Sequence, residues 1–387
     1  MSDALLISVI LVNYRAPEFT AHTLRSLQRA LDGISHEIIV VDNASGDHSL
    51  SYLNQHFPTV HLLPLSDNIG FGRANNRAIE QARGHFVWIL NPDTLVPESL
   101  PQRLLEEAQR RSQLGAIGVR MIDGSGRFLP ESKRGKPTPW ASACKLLGWT
   151  NRFPSSRWFA GYYQGHIHPK QSTEIPVLAG ASMFAERAFI QALGGFDPRY
   201  FMYGEDIDLS IRLAEHGRHN YYLADTPLLH FKGESTDTQS ASYIEHFYGA
   251  MELYVERYHS NVFGWMYRQL IGWIKRRKLR ALASTDSHPR PTTRPQHQHW
   301  NLFGDVEEIA LWEERLAPLQ PKSVSQVDAL AWEDTEDSAW VIVLGAHTRL
   351  EDVLHHLAEH PVSQTQVWWA FPELPVMIRT GEVFKIR

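Results

Sequence analysis

Carboxylate side chains stand at three places where an apolar or aromatic run of residues ends. They are Asp42, Asp93 and the adjacent pair of Glu205 and Asp206. Such runs are buried in folded proteins, so each carboxylate would be delivered to one edge of an α/β sheet, where these folds bind ligands. A carboxylate there can hold a divalent cation, accept a hydrogen bond or take up a proton. The pattern predicts a functional site at that edge.

The elements that position these residues alternate along the first part of the chain. Runs of β-branched and aromatic residues predict strands at 6–13, 37–42 and 85–90, with a weaker one at 60–65. Helical periodicity predicts helices at 19–31 and 71–83. This alternation predicts a parallel sheet with helices on both faces.

The pattern continues with longer interruptions. We predict helices at 97–111, 186–193 and 205–217, and strands at 116–121, 177–184 and 220–224. The segment 136–172 is aromatic, basic and irregular, and loops of that length in a compact domain are usually functional or mobile.

The composition indicates an ordinary globular protein. The chain has 387 residues, of which 43% are hydrophobic and 21% charged, enough for one large domain and a smaller one. The net charge of −5 gives no general attraction to nucleic acid, and no nucleic-acid-binding motif is present, so we expect no nucleic acid partner.

Cysteine usage and hydropathy point to one compartment. The single cysteine, Cys144, excludes an internal disulfide and is best interpreted as a small packing residue. The N-terminal residues have no basic region of a signal peptide, and no run is long and apolar enough to span a membrane. We therefore expect a cytoplasmic protein.

Six motifs, taken together and in order, resemble a family 2 glycosyltransferase of the GT-A fold, and most closely its bacterial rhamnosyltransferase branch. They are SVILVNY at 8–14, IVVDNAS at 39–45, NIGFG at 68–72, NPD at 91–93, GGFD at 194–197 and EDIDL at 205–209. The likeness runs from about residue 6 to about residue 258. Each motif alone is weak, whereas the ordered set is specific.

The resemblance implies a fold and a domain organisation. We expect a GT-A domain, a doubly wound and mostly parallel sheet with a Rossmann-like nucleotide-binding half, at 1–240. A helical, basic and aromatic extension would follow at 241–285, a Pro-, Thr- and His-rich linker at 286–299 and a small α/β domain of unknown role at 300–387. In that last domain, strands at 340–344 and 366–371 would flank a helix at 350–360, and fifteen acidic residues outnumber six basic ones.

A nucleotide-sugar donor needs recognition of its base. Asp42 suits this task, because a carboxylate can accept a hydrogen bond from the N3–H of uracil or thymine. The resemblance implies the same role, with Tyr14 and Asn43 nearby. The alternative is that Asp42 only caps the turn after its strand.

The donor diphosphate needs positive partners. Asn68 and Arg73 flank a glycine-rich turn into a helix, where the helix N-terminus favours anions, although a plain strand-to-helix connection is the alternative. Asp93 suits a Mg²⁺ or Mn²⁺ ion that also binds the diphosphate. Asn91 takes the place of the first Asp of the family's Asp-x-Asp motif. The resemblance implies His230 as a further metal or diphosphate ligand, against the alternative of a satisfied core histidine.

The acceptor needs a base on the face of the sugar opposite the leaving diphosphate. The family uses the second acid of its Glu-Asp pair, which is Asp206 here. Glu205 would orient the acceptor or tune Asp206, since two adjacent carboxylates raise the pKa of one of them. Asp208 would support the helix N-terminus, and a capping role for the whole cluster is the alternative.

The helix or helix pair predicted at 243–283 has two interpretations. Trp265, Trp273 and the basic cluster at 275–280 are typical of a helix at an anionic membrane surface, while a helix packed on the catalytic domain is the alternative. The first interpretation would make the acceptor a lipid-linked glycan and the protein peripheral on the cytoplasmic face of the inner membrane. A homo-oligomer stays open.

The combined hypothesis is an inverting glycosyltransferase of bacterial surface polysaccharide synthesis. By resemblance its favoured donor is dTDP-rhamnose, with a UDP-sugar such as UDP-GlcNAc or UDP-Gal as the alternative and a glycan or lipid-linked glycan as acceptor. A non-catalytic sugar-nucleotide-binding protein would be expected to lack Asp93 or Asp206. A nucleotidyltransferase would need a glycine-rich basic loop after the first strand, which 13–17 is not.

Overall fold

The computed structural model describes residues 6–232, 240–259, 262–283, 299–317, 323–326, 338–362, 367–379 and 382–385. Within these ranges the chain forms two β-sheets flanked by helices, which confirms the predicted α/β class. The linker predicted at 286–299 lies outside the described residues except for His299, which begins a strand. The domain boundaries at 240, 285 and 299 remain predictions.

The first sheet carries the predicted site. Its strands are β1 (Ile7–Asn13), β2 (His36–Asp42), β3 (His61–Pro64), β4 (Phe86–Leu90), β5 (Thr94–Leu95), β6 (Leu114–Ile122), β7 (Thr173–Glu174), β8 (Ser182–Glu186) and β9 (His219–His230). They are ordered β3-β2-β1-β4-β8-β6-β9-β5, with β7 beside β9. The first four are parallel, and every residue of β1 is buried, as expected of a central strand covered on both faces.

Ten helices accompany this sheet in the described part of the chain. They are α1 (Pro17–Ala30), α2 (Ser49–His56), α3 (Phe71–Gln81), α4 (Leu100–Arg110), α5 (Pro139–Leu146), α6 (Trp149–Arg152), α7 (Arg187–Ala192), α8 (Glu205–Glu215), α9 (Ala241–Tyr258) and α10 (Val262–Ala283). The predicted helix at 243–283 is thus a pair. Its members pack with α8 through Ile211, Val255 and Ile271.

Three expectations for this part of the chain need correction. The strand predicted at 177–184 begins only at Ser182, because residues 177–181 turn toward α8. The strand predicted at 220–224 continues to His230, and Pro227 is tolerated because it falls where the β6–β9 register shifts. The irregular segment 136–172 contains α5, which Thr138 caps and Pro139 opens, and the short helix α6. Cys144 is buried in α5.

The second sheet lies in the C-terminal unit. Its elements are β10 (His299–Phe303), α11 (Val306–Leu316), β11 (Ser323–Gln326), β12 (Ser338–Val343), α12 (Leu350–Glu359), β13 (Val367–Ala370), β14 (Val376–Arg379) and β15 (Glu382–Lys385). The strand order is β11-β10-β12-β13-β14-β15. The strands β11, β10, β12 and β13 are parallel and the last two antiparallel.

The C-terminal unit packs directly on the first sheet's helices. Leu354 and Phe371 belong to the same hydrophobic core as Phe19 and Leu24 of α1. Arg29 donates hydrogen bonds to the carbonyls of Leu344 and Thr348 at 3.0 and 2.6 Å. The unit predicted as separate therefore has its own sheet but shares its core with the part of the chain that carries the first sheet.

In the described ranges, none of the helices combines the length and the apolar character needed to cross a bilayer.

Candidate active site

Asp42 lies at the end of β2, in register with Asn13 at the end of β1. The Asn13 amide donates to Asp42 Oδ1 at 2.8 Å, the Ser45 hydroxyl donates to the same oxygen at 2.5 Å, and the Ser45 N–H donates to Oδ2 at 3.2 Å. The turn-capping geometry is therefore present. It leaves Oδ2 able to accept a further hydrogen bond, since an ionised carboxylate has about four acceptor positions.

The residues beside Asp42 fix the shape of this edge. Asn43 donates to the Asn68 side-chain oxygen at 2.9 Å and accepts from the Ile69 N–H at 3.0 Å, which ties the end of β2 to the turn before α3. Tyr14 is half-buried, and the Arg15 guanidinium lies 5.1 Å from the centre of its ring. The structure thus brings Asn43 and Asn68 together as predicted for one site.

Arg73 is engaged elsewhere. Its side chain is exposed, and Nε donates to the Pro198 carbonyl at 2.6 Å, in the loop that leads into α8. The same loop contacts the start of α3, where the Phe71 N–H donates to the Phe201 carbonyl at 2.8 Å. A side chain at Gly70 would place its Cβ 2.2 Å from that carbonyl oxygen, so only glycine allows this approach. Arg73 therefore helps to hold the loop before α8.

The Asn-Pro-Asp turn forms a second polar cluster with the end of β9. His230 Nε2 lies 3.2 Å from Asp93 Oδ1 and 3.2 Å from Asn91 Nδ2. Asn91 and Asp93 lie between β4 and β5, and His230 ends β9. Strand β5 pairs with β9 by placing Thr94 opposite His230. His230 Nδ1 is buried and has no hydrogen-bond partner among the described residues, so this is not a fully satisfied core histidine.

Thr23 of α1 holds the Asn-Pro-Asp turn in place by hydrogen bonds to its backbone. Its buried hydroxyl lies 2.7 Å from the Pro92 carbonyl and 2.8 Å from the Thr94 carbonyl, and it accepts from the Thr94 N–H at 3.1 Å. The backbone that presents Asp93 is therefore held by a residue that sequence reasoning missed.

The donor set of this cluster fits a hard divalent cation. Across the ranges that the structure describes, no group of three or more His, Cys, Asp or Glu side chains could hold a metal on its own. Asp93 and His230 offer two ligand atoms 3.2 Å apart, close to the spacing of about 3 Å between neighbouring ligands of Mg²⁺. The remaining ligands would come from a diphosphate and water, which is how Mg²⁺ is usually held.

Glu205 and Asp206 form the first turn of α8. The turn before them has backbone of unusual conformation, with Tyr203 at φ 68° and Gly204 at φ 84°. A left-handed conformation at a residue other than glycine stores about 1–3 kcal/mol and clusters at functional sites. The strained turn aims the start of α8 and both carboxyl groups into a cavity.

Asp206 is held by three donors. Arg134 Nη2 lies 2.5 Å from Oδ2, the Gly180 N–H donates to the same oxygen at 2.8 Å, and the Ile207 N–H donates to Oδ1 at 2.8 Å. Burial alone would lower the pKa of Arg134, but the carboxylate of Asp206 outweighs it and raises the pKa, so the guanidinium is always charged. Asp206 is therefore an oriented carboxylate with one side fixed by a cation.

Glu205 differs from Asp206 in its surroundings. Burial, and secondarily the charge of Asp206, raises the pKa of Glu205 to about 8. Its Oε2 atom is buried and has no hydrogen-bond partner in the part of the chain that the structure describes. This shift in pKa favours the neutral form of Glu205, which can donate a hydrogen bond, and leaves Asp206 as the candidate proton acceptor.

Asp208 has a supporting role, as expected, although through side chains rather than the helix dipole alone. Its fully buried carboxylate lies 2.7 Å from Arg212 Nε, accepts from the Tyr258 hydroxyl at 2.7 Å and lies 2.9 Å from Arg257 Nη1. Arg257 also binds Asp197 of the Gly-Gly-Phe-Asp motif at 2.7 Å. These contacts fix α8 to α9 and to the turn before it.

A cavity of about 450 Å³ opens over Glu205 and Asp206. Most of its wall is aromatic or aliphatic and comes from α8, α9, α10 and the segment that contains α5. Its polar groups besides the two acids include Arg134 and Lys145, whose Nζ lies 4.7 Å from the centre of the Tyr162 ring. The arrangement can take a molecule with apolar parts and bring one polar group to the acids.

The Asp93 cluster and the Asp206 cluster are neighbours. The Asn91 N–H donates to the Ala181 carbonyl at 2.9 Å, and the next residue back, Gly180, donates to Asp206. One short piece of backbone therefore touches both clusters.

Sequence reasoning missed Asn13, Ser45, Thr23, Arg134 and Gly180. Asn13 had a signal, because it ends β1 as Asp42 ends β2. Arg134 and Gly180 had none, since they lie 72 and 26 residues from Asp206 along the chain.

Comparisons with known proteins show which proteins this chain is similar to in sequence. The family model for glycosyl transferase family 2 matches residues 8–187. The N-acetylglucosaminyl-diphospho-decaprenol L-rhamnosyltransferase of Mycobacterium tuberculosis is 30% identical over 292 residues, which are 72% of this chain and 91% of that protein. The O-antigen biosynthesis protein RfbC of Myxococcus xanthus is 25% identical over 210 residues, 51% of this chain and 15% of that protein.

Solved structures give looser matches. GalNAc-T7 with UDP, GalNAc and Mn²⁺ is 16% identical with a TM-score of 0.48, covering 65% of this chain and 48% of that chain.

Proposed function

The chain belongs to glycosyl transferase family 2, and we propose that it transfers L-rhamnose from dTDP-rhamnose to a glycan or lipid-linked glycan in the synthesis of a bacterial surface polysaccharide. Membership makes it a glycosyltransferase. The choice of sugar draws on the mycobacterial relative, which is named as an L-rhamnosyltransferase acting on an N-acetylglucosaminyl-diphospho lipid.

The observation that carries the proposal is the contact of one backbone segment with both polar clusters. Asn91 binds Ala181, and Gly180 binds Asp206. A group at the Asp93 cluster and a group at Asp206 would therefore lie close together, and we infer that they take opposite faces of the donor sugar. Direct displacement needs this arrangement, with the leaving diphosphate on one face of the sugar and the base on the other.

In this proposal the residues at the C-terminal end of β2 recognise the nucleotide base. Asp42 accepts from its N3–H, with Tyr14 and Asn43 beside it, while Asn68 and Asn91 contribute to the diphosphate side. Arg73, which binds the Pro198 carbonyl, supports the loop before α8 instead. Because thymine and uracil both present N3–H, this hydrogen bond does not separate dTDP from UDP. A UDP-sugar such as UDP-GlcNAc or UDP-Gal is therefore the second candidate donor.

Asp93 and His230 would hold Mg²⁺ or Mn²⁺ together with the diphosphate. Such an ion supplies Lewis-acid stabilisation of the leaving group. The protein's own part is to keep the Asp93 carboxylate and the His230 ring fixed, through Thr23 and the pairing of β5 with β9.

Asp206 acts as the general base on the acceptor hydroxyl. As the acceptor oxygen bonds to the anomeric carbon, its proton passes to Asp206 and the bond to the diphosphate oxygen breaks. One displacement inverts the anomeric configuration and needs no covalent enzyme intermediate. Arg134 and Gly180 orient the base, and neutral Glu205 donates a hydrogen bond to the acceptor.

The acceptor would occupy the cavity beside these acids. Its aromatic wall suits a sugar ring and the apolar part of a lipid carrier, and Lys145 suits a phosphate. Helix α10 forms part of the wall while it exposes Trp265 and Trp273 next to the basic end at 275–280. These features support a lipid-linked acceptor and a peripheral position on the cytoplasmic face of a membrane.

A donor panel tests the proposal. Purified protein would be incubated with dTDP-rhamnose, UDP-GlcNAc, UDP-Gal and a GDP-sugar, each with Mg²⁺, Mn²⁺ or EDTA, and release of nucleoside diphosphate would be measured with and without a glycan acceptor. We expect turnover of dTDP-rhamnose that needs a metal and is absent in Asp206→Asn. Turnover of only a UDP- or GDP-sugar would overturn the assignment of rhamnose as the donor sugar. Turnover in EDTA would overturn the proposal that a metal ion is required.

A further inference from the structure

Large apolar side chains are exposed on the segment that contains α5 and α6. Trp158 is 77% exposed, Leu147 61% and Trp140 51%, and Trp149 and Phe153 are exposed as well. We call residues 139–159 the aromatic segment. Single exposed apolar residues are normal on a protein surface, but a contiguous group of this kind marks an interaction site.

Contacts between its own residues hold the aromatic segment in a defined conformation. The rings of Trp140 and Trp149 lie 5.9 Å apart, and the Trp140 indole N–H donates to the Trp158 carbonyl at 3.0 Å. The Thr150 hydroxyl donates to the Phe159 carbonyl at 2.9 Å. These contacts fix the segment's backbone while its apolar side chains remain exposed.

The sequence of this region is basic, although Lys133 is buried, Arg134 pairs with Asp206 and Lys170 pairs with Glu359. From residue 132 to residue 173 the sequence contains seven Lys or Arg residues and no Asp or Glu. Two of the basic residues, Arg152 and Arg157, are exposed within the aromatic segment itself. Indoles mixed with cations and without acids are complementary to the interface of an anionic bilayer.

The aromatic segment and α10 are two walls of the same cavity. Ser142 and Lys145 line it from α5, and Tyr267 and Leu270 line it from α10. Leu270 is also 48% exposed, so the cavity reaches the surface at α10. Helix α10 likewise has no acidic residue and exposes two tryptophans.

We propose that the aromatic segment is a membrane-contact surface that seats its indoles in the headgroup region of an anionic bilayer, beside α10. The segment then brings the cavity over Glu205 and Asp206 to the lipid surface. This inference deepens the proposed function and rests on it for the lipid-linked acceptor, but the contact with lipid is a property of the surface alone.

Liposome co-sedimentation tests it without donor or acceptor. The wild-type chain would be compared on phosphatidylcholine vesicles and on vesicles containing phosphatidylglycerol, at low and high salt. Leu147→Ser/Trp158→Ser removes the most exposed apolar groups, and Arg152→Gln/Arg157→Gln removes the exposed charges. Leu311→Ser, on exposed α11 surface of the C-terminal unit, is the matched control.

We expect wild type to bind the anionic vesicles, and more weakly at high salt. The apolar double variant should bind at least about tenfold more weakly, since large apolar side chains leave the bilayer. The charge variant should lose about fivefold for each residue removed, and Leu311→Ser should bind as wild type does. Donor turnover without vesicles should be unchanged in all variants.

Unaltered binding by the apolar double variant would overturn the proposal, as would wild type that binds no anionic vesicle. Light scattering without lipid measures the oligomeric state of the same proteins. If wild type is a dimer and the Leu147→Ser/Trp158→Ser variant is not, the aromatic segment binds a second copy of the chain and the membrane proposal is wrong. If the protein binds vesicles as expected but turns over no nucleotide sugar, the proposed membrane contact is supported and the proposed function is overturned.

Discussion

Arg134 Nη2 lies 2.5 Å from Asp206 Oδ2, and both side chains are mostly buried at the floor of the cavity. The carboxylate proposed as the base is therefore half of an ion pair. Breaking such a pair from one side leaves a buried charge without compensation, which is strongly unfavourable. Arg134 is thus a positioning residue for Asp206.

Arg134→Gln should lower kcat by about ten- to a hundredfold while the donor KM changes little, because a base displaced by about 1 Å loses rate and not donor affinity. Arg134→Lys should recover part of the loss by keeping the charge. Steady-state kinetics of both variants, with thermal unfolding as a check on folding, measures this. A wild-type kcat in Arg134→Gln would exclude the positioning role.

Asp206→Asn should abolish transfer and leave donor binding nearly intact, because it keeps the shape and the hydrogen bond from Gly180 but removes the proton acceptor. Loss of a general base typically lowers the rate by about a hundred- to ten-thousandfold. Calorimetric donor titration beside a transfer assay separates the two quantities. If transfer proceeds at the wild-type rate, the base is another group, and Glu205 is the first to test.

Glu205→Gln should be tolerated near pH 7, because burial raises the pKa of Glu205 to about 8 and the native side chain is already neutral there. Between pH 4.5 and 8 the native state holds this proton and the unfolded state does not, so wild-type stability falls as pH rises, by up to about 1.4 kcal/mol per unit. Glu205→Gln should therefore flatten the fall in stability between pH 5 and 9. Denaturant unfolding across that range measures it, and parallel pH curves for both proteins would contradict the assignment.

Asp93→Ala should weaken metal-dependent donor binding and turnover together, since the carboxylate and the diphosphate would share one cation. His230→Ala should act in the same direction. Donor affinity titrated against Mn²⁺ is the measurement, with Asp32→Asn, at an exposed acid outside the site, as the control. Donor affinity indifferent to both Mn²⁺ and Asp93→Ala would give Asp93 another task.

The contact between α1 and the C-terminal unit should be sensitive to acid through His22. This side chain is fully buried against Phe371, its Nδ1 donates to the Glu18 carbonyl at 2.9 Å, and burial lowers its pKa from 6.5 to about 4. Below pH 6.5 the unfolded state binds a proton that the native state refuses, so stability falls as pH drops toward 4, by up to about 1.4 kcal/mol per unit.

His22→Gln should remove that part of the acid dependence, and His168→Gln, at an exposed histidine, should not. Thermal unfolding between pH 7 and 4.5 compares the three proteins. The same slope in wild type and His22→Gln would exclude His22 as the acid-sensitive group.

The sequence by itself determined the features that depend on neighbouring residues. Apolar periodicity located the strands, and the polar residues that follow β2 and β4 put Asp42 and Asp93 at one edge of the parallel part of the sheet, because the carboxyl ends of parallel strands meet there. The Glu205–Asp206 pair, expected at the end of a third run, instead begins α8 with no strand directly before it. The order of the short motifs was enough to suggest the family. The sequence pattern ended one strand too early, at residue 224. The strand continues to His230 and tolerates Pro227, because Pro227 lies where the β6–β9 register shifts.

Only the tertiary structure could decide what depends on residues far apart in the chain. Nothing near Arg134 indicates a partner 72 residues away, and nothing near Arg29 indicates that it binds carbonyls of the C-terminal unit more than 300 residues on. The pKa of Glu205 has the same origin, since burial is set by the packing around α8 and not by its sequence. A side chain's type is local, but its partners and its burial arise only when distant segments pack together.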